Sequence, residues 1–344
     1  CYTSPHLLRY NERLRLQGQA VSDRLLIDAF ARVDRARGDA TLTYFEFGTL
    51  AALDIMCAEP LDVAILEVGL GGRLDAVNIV DADVALLSSI GVDHTDWLGC
   101  DRESIGREKS GIFRPGRPAV CGDPEPPSSV PEAAARIGAG LRVLGRDFAL
   151  CQTGRGWHWQ GQRSRLRDLP LPSLAGAHQL ANAASVLMVL ELLGDRLPVT
   201  RKAIDSGLRW ARLPGRIETI PGRVEQVLDV SHNAQAAEAL ADAMRRMPLA
   251  GRTHGVLGMM RDQDVESFVG VLQPLVDCWH TVGLHIPRAS PPQELAARVA
   301  TVIGTGQAVS CWTTVAEALA AIQRGVGAGD RVLVCGSFHT VAEW

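Results

Sequence analysis

Short apolar runs alternate with helix-period patterns along the chain, and this alternation limits the folds open to it. Residues 61–68 (LDVAILEV) are apolar on both alternating sets, as a strand covered on both faces has to be. Residues 83–90 (DVALLSSI) read the same way, and helical spacing precedes these runs at 22–36 and 47–58. Strand–helix–strand alternation predicts an α/β fold, a parallel sheet with helices packed on it. At 344 residues the chain has room for two such domains, taking about 150 residues each. It needs neither disulfides nor a structural metal to bury a core.

A hydrophobic fraction of 47% excludes a disordered chain. A net charge of −4 supplies no global positive field, so neither nucleic acid nor an anionic membrane is expected as a partner. The longest apolar stretch, around 186–193, is interrupted by Glu191 and is too short to span a bilayer. Eight cysteines are scattered without a Cys-x-x-Cys pair, which suits reduced thiols better than disulfides or zinc. With no signal-peptide pattern, a cytoplasmic location is expected. The chain starts at Cys1, directly in strand-like sequence, and reads as one whose beginning is missing.

Residues 123–131 (DPEPPSSVP) are turn-rich and expected to cross the surface. The basic, aromatic stretch 155–167 could be a nucleic-acid strip or a twisted antiparallel hairpin. The hairpin is favoured, because no nucleic-acid module surrounds it. Residues 180–193 predict an apolar helix. Two Pro-Gly pairs mark 213–223 as a linker, after which the alternation restarts. Strands are expected within 224–230, 253–258, 279–284 and 331–335, and helices at 234–247, 265–276, 291–302 and 315–323. The expected organisation is a domain at 1–212, a linker at 213–223 and a second α/β domain at 224–344.

Ligands of open α/β sheets collect beyond the carboxyl ends of strands. Glu67 closes the first apolar run, before Gly69-Leu70-Gly71-Gly72, and His94 follows the second. They could meet at one crevice, or be a strand-end acid and a histidine bonded to backbone. The glycines are not a Walker A loop, since no Gly-Lys-Ser/Thr follows them; they let the backbone turn off the strand. Asp101 is a helix cap candidate. Ile105, Lys109 and Ile112 then share one helical face, an apolar one, where a lysine must snorkel, pair with an acid or be chemically changed. Asp229 ends the 224–230 strand, and Asn233 can cap the helix after it. No Gly-x-Ser-x-Gly elbow and no His-Glu-x-x-His occurs, which argues against a serine hydrolase and a zinc protease.

Several long motifs, in order from end to end, resemble the folylpolyglutamate synthases. They are Tyr2-Thr3-Ser4-Pro5-His6-Leu7, Thr43-Tyr44-Phe45-Glu46, residues 66–76 (LEVGLGGRLDA), 93–99 (DHTDWLG), 107–112 (REKSGI), 213–216 (LPGR), 229–233 (DVSHN) and 336–342 (GSFHTVA). Within that family the chain is most similar to the bacterial bifunctional enzymes that also act as dihydrofolate synthase. The resemblance implies a Mur-ligase-like ATPase domain and a smaller Rossmann-like carboxyl-terminal domain. It implies ATP-dependent ligation of L-glutamate to dihydropteroate, or to the tail of a reduced folate, through an acyl phosphate.

Carried over by motif position, Ser4, Glu67 and His94 hold Mg2+, with Mn2+ as a substitute. Lys109 is the carboxylated lysine, which answers the burial puzzle above. Asn182, Arg216, Asp229 and His232 bind ATP. Thr43, Tyr44, Phe45 and Glu46 line the pteroate pocket with Leu74, Asp75 and Ala76. A monomer is implied. The family's phosphate loop precedes the Ser-Pro-His motif, where this chain has only Cys1-Tyr2-Thr3. The expectation is an impaired ligase with apolar surface uncovered. The competing expectations are a muropeptide ligase of the same fold and an inactive pterin- or nucleotide-binding fragment.

Overall fold

A computed structural model describes the whole chain except His94, Asp195, Thr305 and Gly306; of Asp96 it describes the backbone alone. The described residues form two compact units, one of Cys1–Pro170 with Ala181–Asp205, the other of Leu171–Leu180 with Ser206–Trp344. This division differs from the expected 1–212, 213–223 and 224–344, because the chain enters the second unit twice.

The second unit is built on a six-stranded sheet. Its order is Ala308–Trp312, Cys278–Val282, Thr253–Leu257, Arg331–Cys335, Glu225–Leu228 and Glu218–Ile220. All neighbours are parallel except the last pair. The central strands Thr253–Leu257 and Arg331–Cys335 are buried at every position, as strands covered on both faces are. The helices Ala234–Arg245, Val265–Leu272, Pro292–Ile303 and Val315–Gly325 cover the sheet around Phe268, Trp279, Leu295 and Leu333. Asn233, Asp264 and Thr314 each cap a helix by accepting an N–H from its first turn. Two edge strands escape sequence reading. Glu218–Ile220 lies inside the expected linker, and Ala308–Trp312, an edge strand with no fully buried residue, falls between the helices expected at 291–302 and 315–323.

The first unit carries three smaller sheets. The strands Ala85–Leu87, Pro118–Cys121 and Gly140–Val143 are parallel in that order. Ala149–Gln152, Trp157–Gln160 and Arg165–Leu169 form an antiparallel meander. Trp157 and Trp159 are buried there, their indoles donating to the carbonyls of Pro170 and Ala184. The aromatic residues of this stretch therefore serve the core, in agreement with the hairpin reading. Helix α1 (Asp23–Arg37) starts after the Ser22 cap, as its spacing predicts. Helix α2 (Tyr44–Ala58) starts three residues before its expected position, at a Thr43/Glu46 capping box.

Two expectations need correction. Residues 61–68 are not a strand: Leu66 alone bridges to Tyr2, and Val63 and Ile65 stay exposed. Tyr2 exchanges two backbone bonds with Ile65 and Glu67, then the neighbouring Thr3 turns to bond Arg13, so no ladder continues. Residues 123–131 do not simply cross the surface, because Asp123 is buried and helix Ser129–Ile137 starts among them. Asp123 accepts from Ile90 N and Arg102, and Glu103 accepts from Ser128 N and Ser129 N. All eight cysteines are free. Among the described residues no helix is long and apolar enough to cross a membrane.

Candidate active site

In the first unit the Tyr2–Leu66 bridge brings the Ser-Pro-His segment beside the end of the 61–68 run. The Ser4 N–H donates to Glu67 Oε2 at 2.8 Å. These two residues, 63 positions apart in sequence, are in direct contact. The chain then turns through the glycines onto the Arg102–Lys109 helix. A Cβ on Gly72 would lie 2.8 Å from the Lys109 carbonyl oxygen and 2.9 Å from that of Glu108, so only glycine allows this approach. Arg73 fixes the contact twice, by its N–H to the Glu108 carbonyl and by its guanidinium to the Glu108 carboxylate at 3.0 Å. The loop after Glu67 is thereby packed on the backbone of Lys109.

Asp101 caps this helix by accepting from Ser104 N. Ile105 is fully buried, with Lys109 and Ile112 half-buried on the same face. Burial lowers the Lys109 pKa from its ordinary value, and the negative charge of Asp93 opposes the shift. Among the described residues no carboxylate lies within ion-pair distance of Lys109. Asp93 precedes His94, which lies outside the described residues together with the metal role expected for it. Among the described residues no three His, Cys, Asp or Glu side chains converge as a metal cage. Ser4 and Glu67 supply oxygen donors, the chemistry that Mg2+ and Mn2+ prefer, so the residues present fit a hard divalent cation.

The residues expected around pteroate separate into different tasks. Thr43 and Glu46 cap α2 reciprocally. Asp75 accepts from Gly69 N, Leu70 N and Val77 N, which holds the glycine loop closed. The Phe45 ring stacks on Tyr2 at 6.1 Å and lies against Gly69. Ala76 opens a short 3-10 helix. Tyr44 and Leu74 remain largely exposed.

In the second unit Asp229 follows strand Glu225–Leu228 and is buried. Its Oδ2 accepts from Ile217 N at 2.8 Å and its Oδ1 from Ser231 N at 2.9 Å. Ile217 has φ +49°, strained for a β-branched residue. The Asp229 carboxylate holds that strained turn and thereby places Arg216, whose guanidinium lies 5.3 Å over the Phe338 ring. His232 Nδ1 donates to the Val230 carbonyl at 3.0 Å, which leaves Nε2 as the acceptor of the neutral ring. Partial desolvation lowers the His178 pKa; Asp229 opposes that shift and Arg216 adds to it. Asn182 belongs to the first unit and the other three expected nucleotide residues to the second. Phe338 and His178 carry no role from sequence reasoning. The 336–342 motif was the available signal for Phe338.

Comparison with known proteins bears on this geometry. The family model of the Mur ligase glutamate ligase domain matches residues 215–338. The dihydrofolate synthase/folylpolyglutamate synthase of Escherichia coli K12 is 45% identical over 99% of this chain and 78% of its own length. The structure of E. coli FolC with DHPP and ADP superposes with a TM-score of 0.91, at 45% identity, over 99% of this chain and 79% of that one. The Yersinia pestis bifunctional enzyme with AMPPNP and a Mn ion gives a TM-score of 0.89 at 44% identity, over 99% and 80% of the two chains. At 45% identity over 99% of its length, the chain belongs to the dihydrofolate synthase/folylpolyglutamate synthase family of ATP-dependent ligases.

Proposed function

We propose that this chain joins L-glutamate to dihydropteroate, giving dihydrofolate, and to the tail of reduced folates. The γ-phosphoryl group of ATP passes to the acceptor carboxylate, the glutamate amine attacks the acyl phosphate, and phosphate leaves as the amide forms. The observation that carries the reading is the Ser4–Glu67 contact at the mouth of a loop packed on Lys109. Relatives crystallised with DHPP and ADP, and with Mn, AMPPNP and L-glutamate, support the substrate set.

Ser4, Glu67 and His94 are proposed to hold Mg2+. A divalent cation in that place neutralises charge on the transferring phosphoryl group. Lys109 is proposed to be carboxylated. Its burial favours the neutral amine, which adds CO2 and releases a proton to leave a carbamate anion. Arg216 presents a planar fork suited to phosphate oxygens, with Asp229 and Phe338 fixing its base and face. Both Asp229 oxygens already accept backbone N–H bonds, so its part in nucleotide binding is to hold Arg216. Asn182 and His232 complete the nucleotide contacts. Tyr44, Phe45, Leu74 and Ala76 face pteroate, with Thr43, Glu46 and Asp75 shaping the two segments that present them.

The 344 residues contain no Gly-Lys-Ser or Gly-Lys-Thr, the loop that cradles triphosphates elsewhere. The chain by itself is therefore proposed to be a weak ligase. The test follows ATP-dependent incorporation of labelled L-glutamate into dihydropteroate by this chain and by a full-length relative. Slow, metal-dependent product formation supports the reading. Turnover equal to the relative's removes the impairment. Ligand binding without any product favours an inactive pterin- or nucleotide-binding fragment.

A further inference from the structure

We propose that the outer face of the antiparallel meander at 149–169 is a docking surface for an oligo-γ-glutamate chain, the tail of a polyglutamylated folate. The identity of that chain rests on the ligase reading; the surface rests on the charge of the meander. Residues 149–169 hold Arg155, Arg163, Arg165 and Arg167 against one acid, Asp168, in a chain of net charge −4. All four arginines are exposed. Arg155 lies in the turn between Ala149–Gln152 and Trp157–Gln160, and Arg163 in the turn at the other end, before Arg165–Leu169. Arg165 and Arg167 stand about 7 Å apart on that last strand, while Leu166 is half-buried and Leu169 buried. Positive charge therefore runs from one end of the meander to the other.

These guanidiniums are unengaged. Between residues 142 and 201 every other arginine has a side-chain partner: Arg142 donates to Gln162 Oε1, Arg146 pairs with Asp147, Arg196 with Asp83 and Arg201 with Asp205. Among the described residues, none of Arg155, Arg163, Arg165 and Arg167 donates a side-chain hydrogen bond or lies within ion-pair distance of a carboxylate. Glu191, which reaches the second turn, is occupied by the amides of Gln162, Arg163 and Ser164. Charge on an edge strand discourages pairing with another sheet, but Arg155 and Arg163 sit in turns, with no edge to guard. Free guanidinium forks match carboxylates. A γ-linked glutamate keeps its α-carboxylate, so each residue of a tail adds one negative charge. A single-stranded nucleic acid would need aromatic rings on which to stack its bases. Trp157 and Trp159 are buried, their N–H groups given to the carbonyls of Pro170 and Ala184, so the face offers charge alone. The Ala184 contact sets the meander on helix His178–Leu193, where Asn182 and Glu191 lie about 14 Å apart along the axis. A tail of about four extended residues covers that length.

Calorimetric titration of the whole chain with di- and penta-γ-L-glutamate, without ATP or pterin, tests the surface. The pentamer is expected to bind at least tenfold more tightly than the dimer, and less tightly as salt is raised. The double variant Arg165→Gln, Arg167→Gln should weaken pentamer binding at least tenfold, and Arg163→Gln alone severalfold. Arg324→Gln, at an exposed and unpaired arginine of the second unit, should leave it unchanged. Glutamate incorporation into dihydropteroate, which has no tail, should be the same in the double variant as in the native chain, while KM for a tetraglutamyl folate rises. Equal affinity for dimer and pentamer overturns the proposal, as does native affinity in both meander variants or an equal loss in Arg324→Gln. Loss of incorporation into dihydropteroate along with pentamer binding assigns the arginines to folding and overturns it too. Tighter binding of a thymidine oligonucleotide than of the pentamer makes the face a nucleic-acid surface instead. Pentamer binding by a chain that forms no product leaves the surface standing and removes the ligase reading; product without pentamer binding does the reverse.

Discussion

In the second unit the run 331–335 is a strand with every residue buried, paired on one side with Glu225–Leu228 and on the other with Thr253–Leu257. In the first unit the equally apolar run 61–68 makes one bridge, and its Ile65 is 61% exposed. Composition does not separate the two; partners do. A strand needs neighbours to bond on its edges and helices to cover its faces. The comparison places the run 331–335 in the core of the second unit. It leaves the first unit's extended segment to position Glu67.

Substitutions at matched apolar positions give the widest contrast. Leu333→Ala in the buried strand is expected to lower unfolding stability by about 2–5 kcal/mol. Ile65→Ala in the exposed run should change it by less than about 0.5 kcal/mol. Urea denaturation of both variants measures the difference, and equal losses would erase the contrast between the units. Asp229→Ala comes next. It orphans the N–H groups of Ile217 and Ser231, at about 1–3 kcal/mol for a buried unsatisfied group. ADP affinity should fall with it, because Arg216 loses its placement. Undiminished ADP binding in a folded variant would show that Arg216 is held by something else.

A pH dependence sharpens the comparison further. Trp312 Nε1 donates to His280 Nδ1, so neutral His280 carries its proton on Nε2, toward His254 Nδ1 at 3.2 Å. Burial pushes the His280 pKa down to about 4, with the charge of His254 adding to the shift, and burial lowers that of His254 too. The unfolded chain takes up these protons near pH 6.5. Stability of the second unit is therefore full above pH 6.5 and declines as pH falls toward 4. The expected loss is about 2 kcal/mol at pH 5 from His280. His280→Phe should flatten that slope, and an unchanged slope would assign it to other groups. A smaller effect than that of His280 is expected at the α2 cap, where Thr43→Ala should cost about 1 kcal/mol by thermal unfolding; no loss would mean that the Glu46 half of the box suffices.

The same contrast explains what was legible in the sequence. Strand Arg331–Cys335 was readable because burial on both faces leaves the apolar run 332–335. The edge Glu218–Ile220 was not, because the Pro-Gly pairs around it read as a linker, and Ala308–Trp312, although largely apolar, was not read as a strand. The start of α2 was readable in principle from its Thr-x-x-Glu spacing, which the apolar periodicity of 47–58 hid. The start of helix Ser129–Ile137 was not, because its amides are capped by Glu103 from another helix. At the candidate site, strand-end position alone singled out Glu67 and Asp229. The Lys109 burial was visible as an i, i+4, i+7 face. What periodicity cannot show is which backbone groups a carboxylate accepts from. The ligand roles expected for Asp75 and Asp229 came from the motif resemblance; the structure adds that their oxygens hold loops.

Manganese binding, followed by electron paramagnetic resonance with ADP present, tests the Ser4–Glu67 centre most directly. The native chain is predicted to immobilise one Mn2+ per molecule, and Glu67→Gln, with an unchanged unfolding transition, to leave the ion free in solution. Glu67→Gln binding Mn2+ as tightly as the native chain would contradict the placement of the metal, and with it the geometry on which the ligase reading stands.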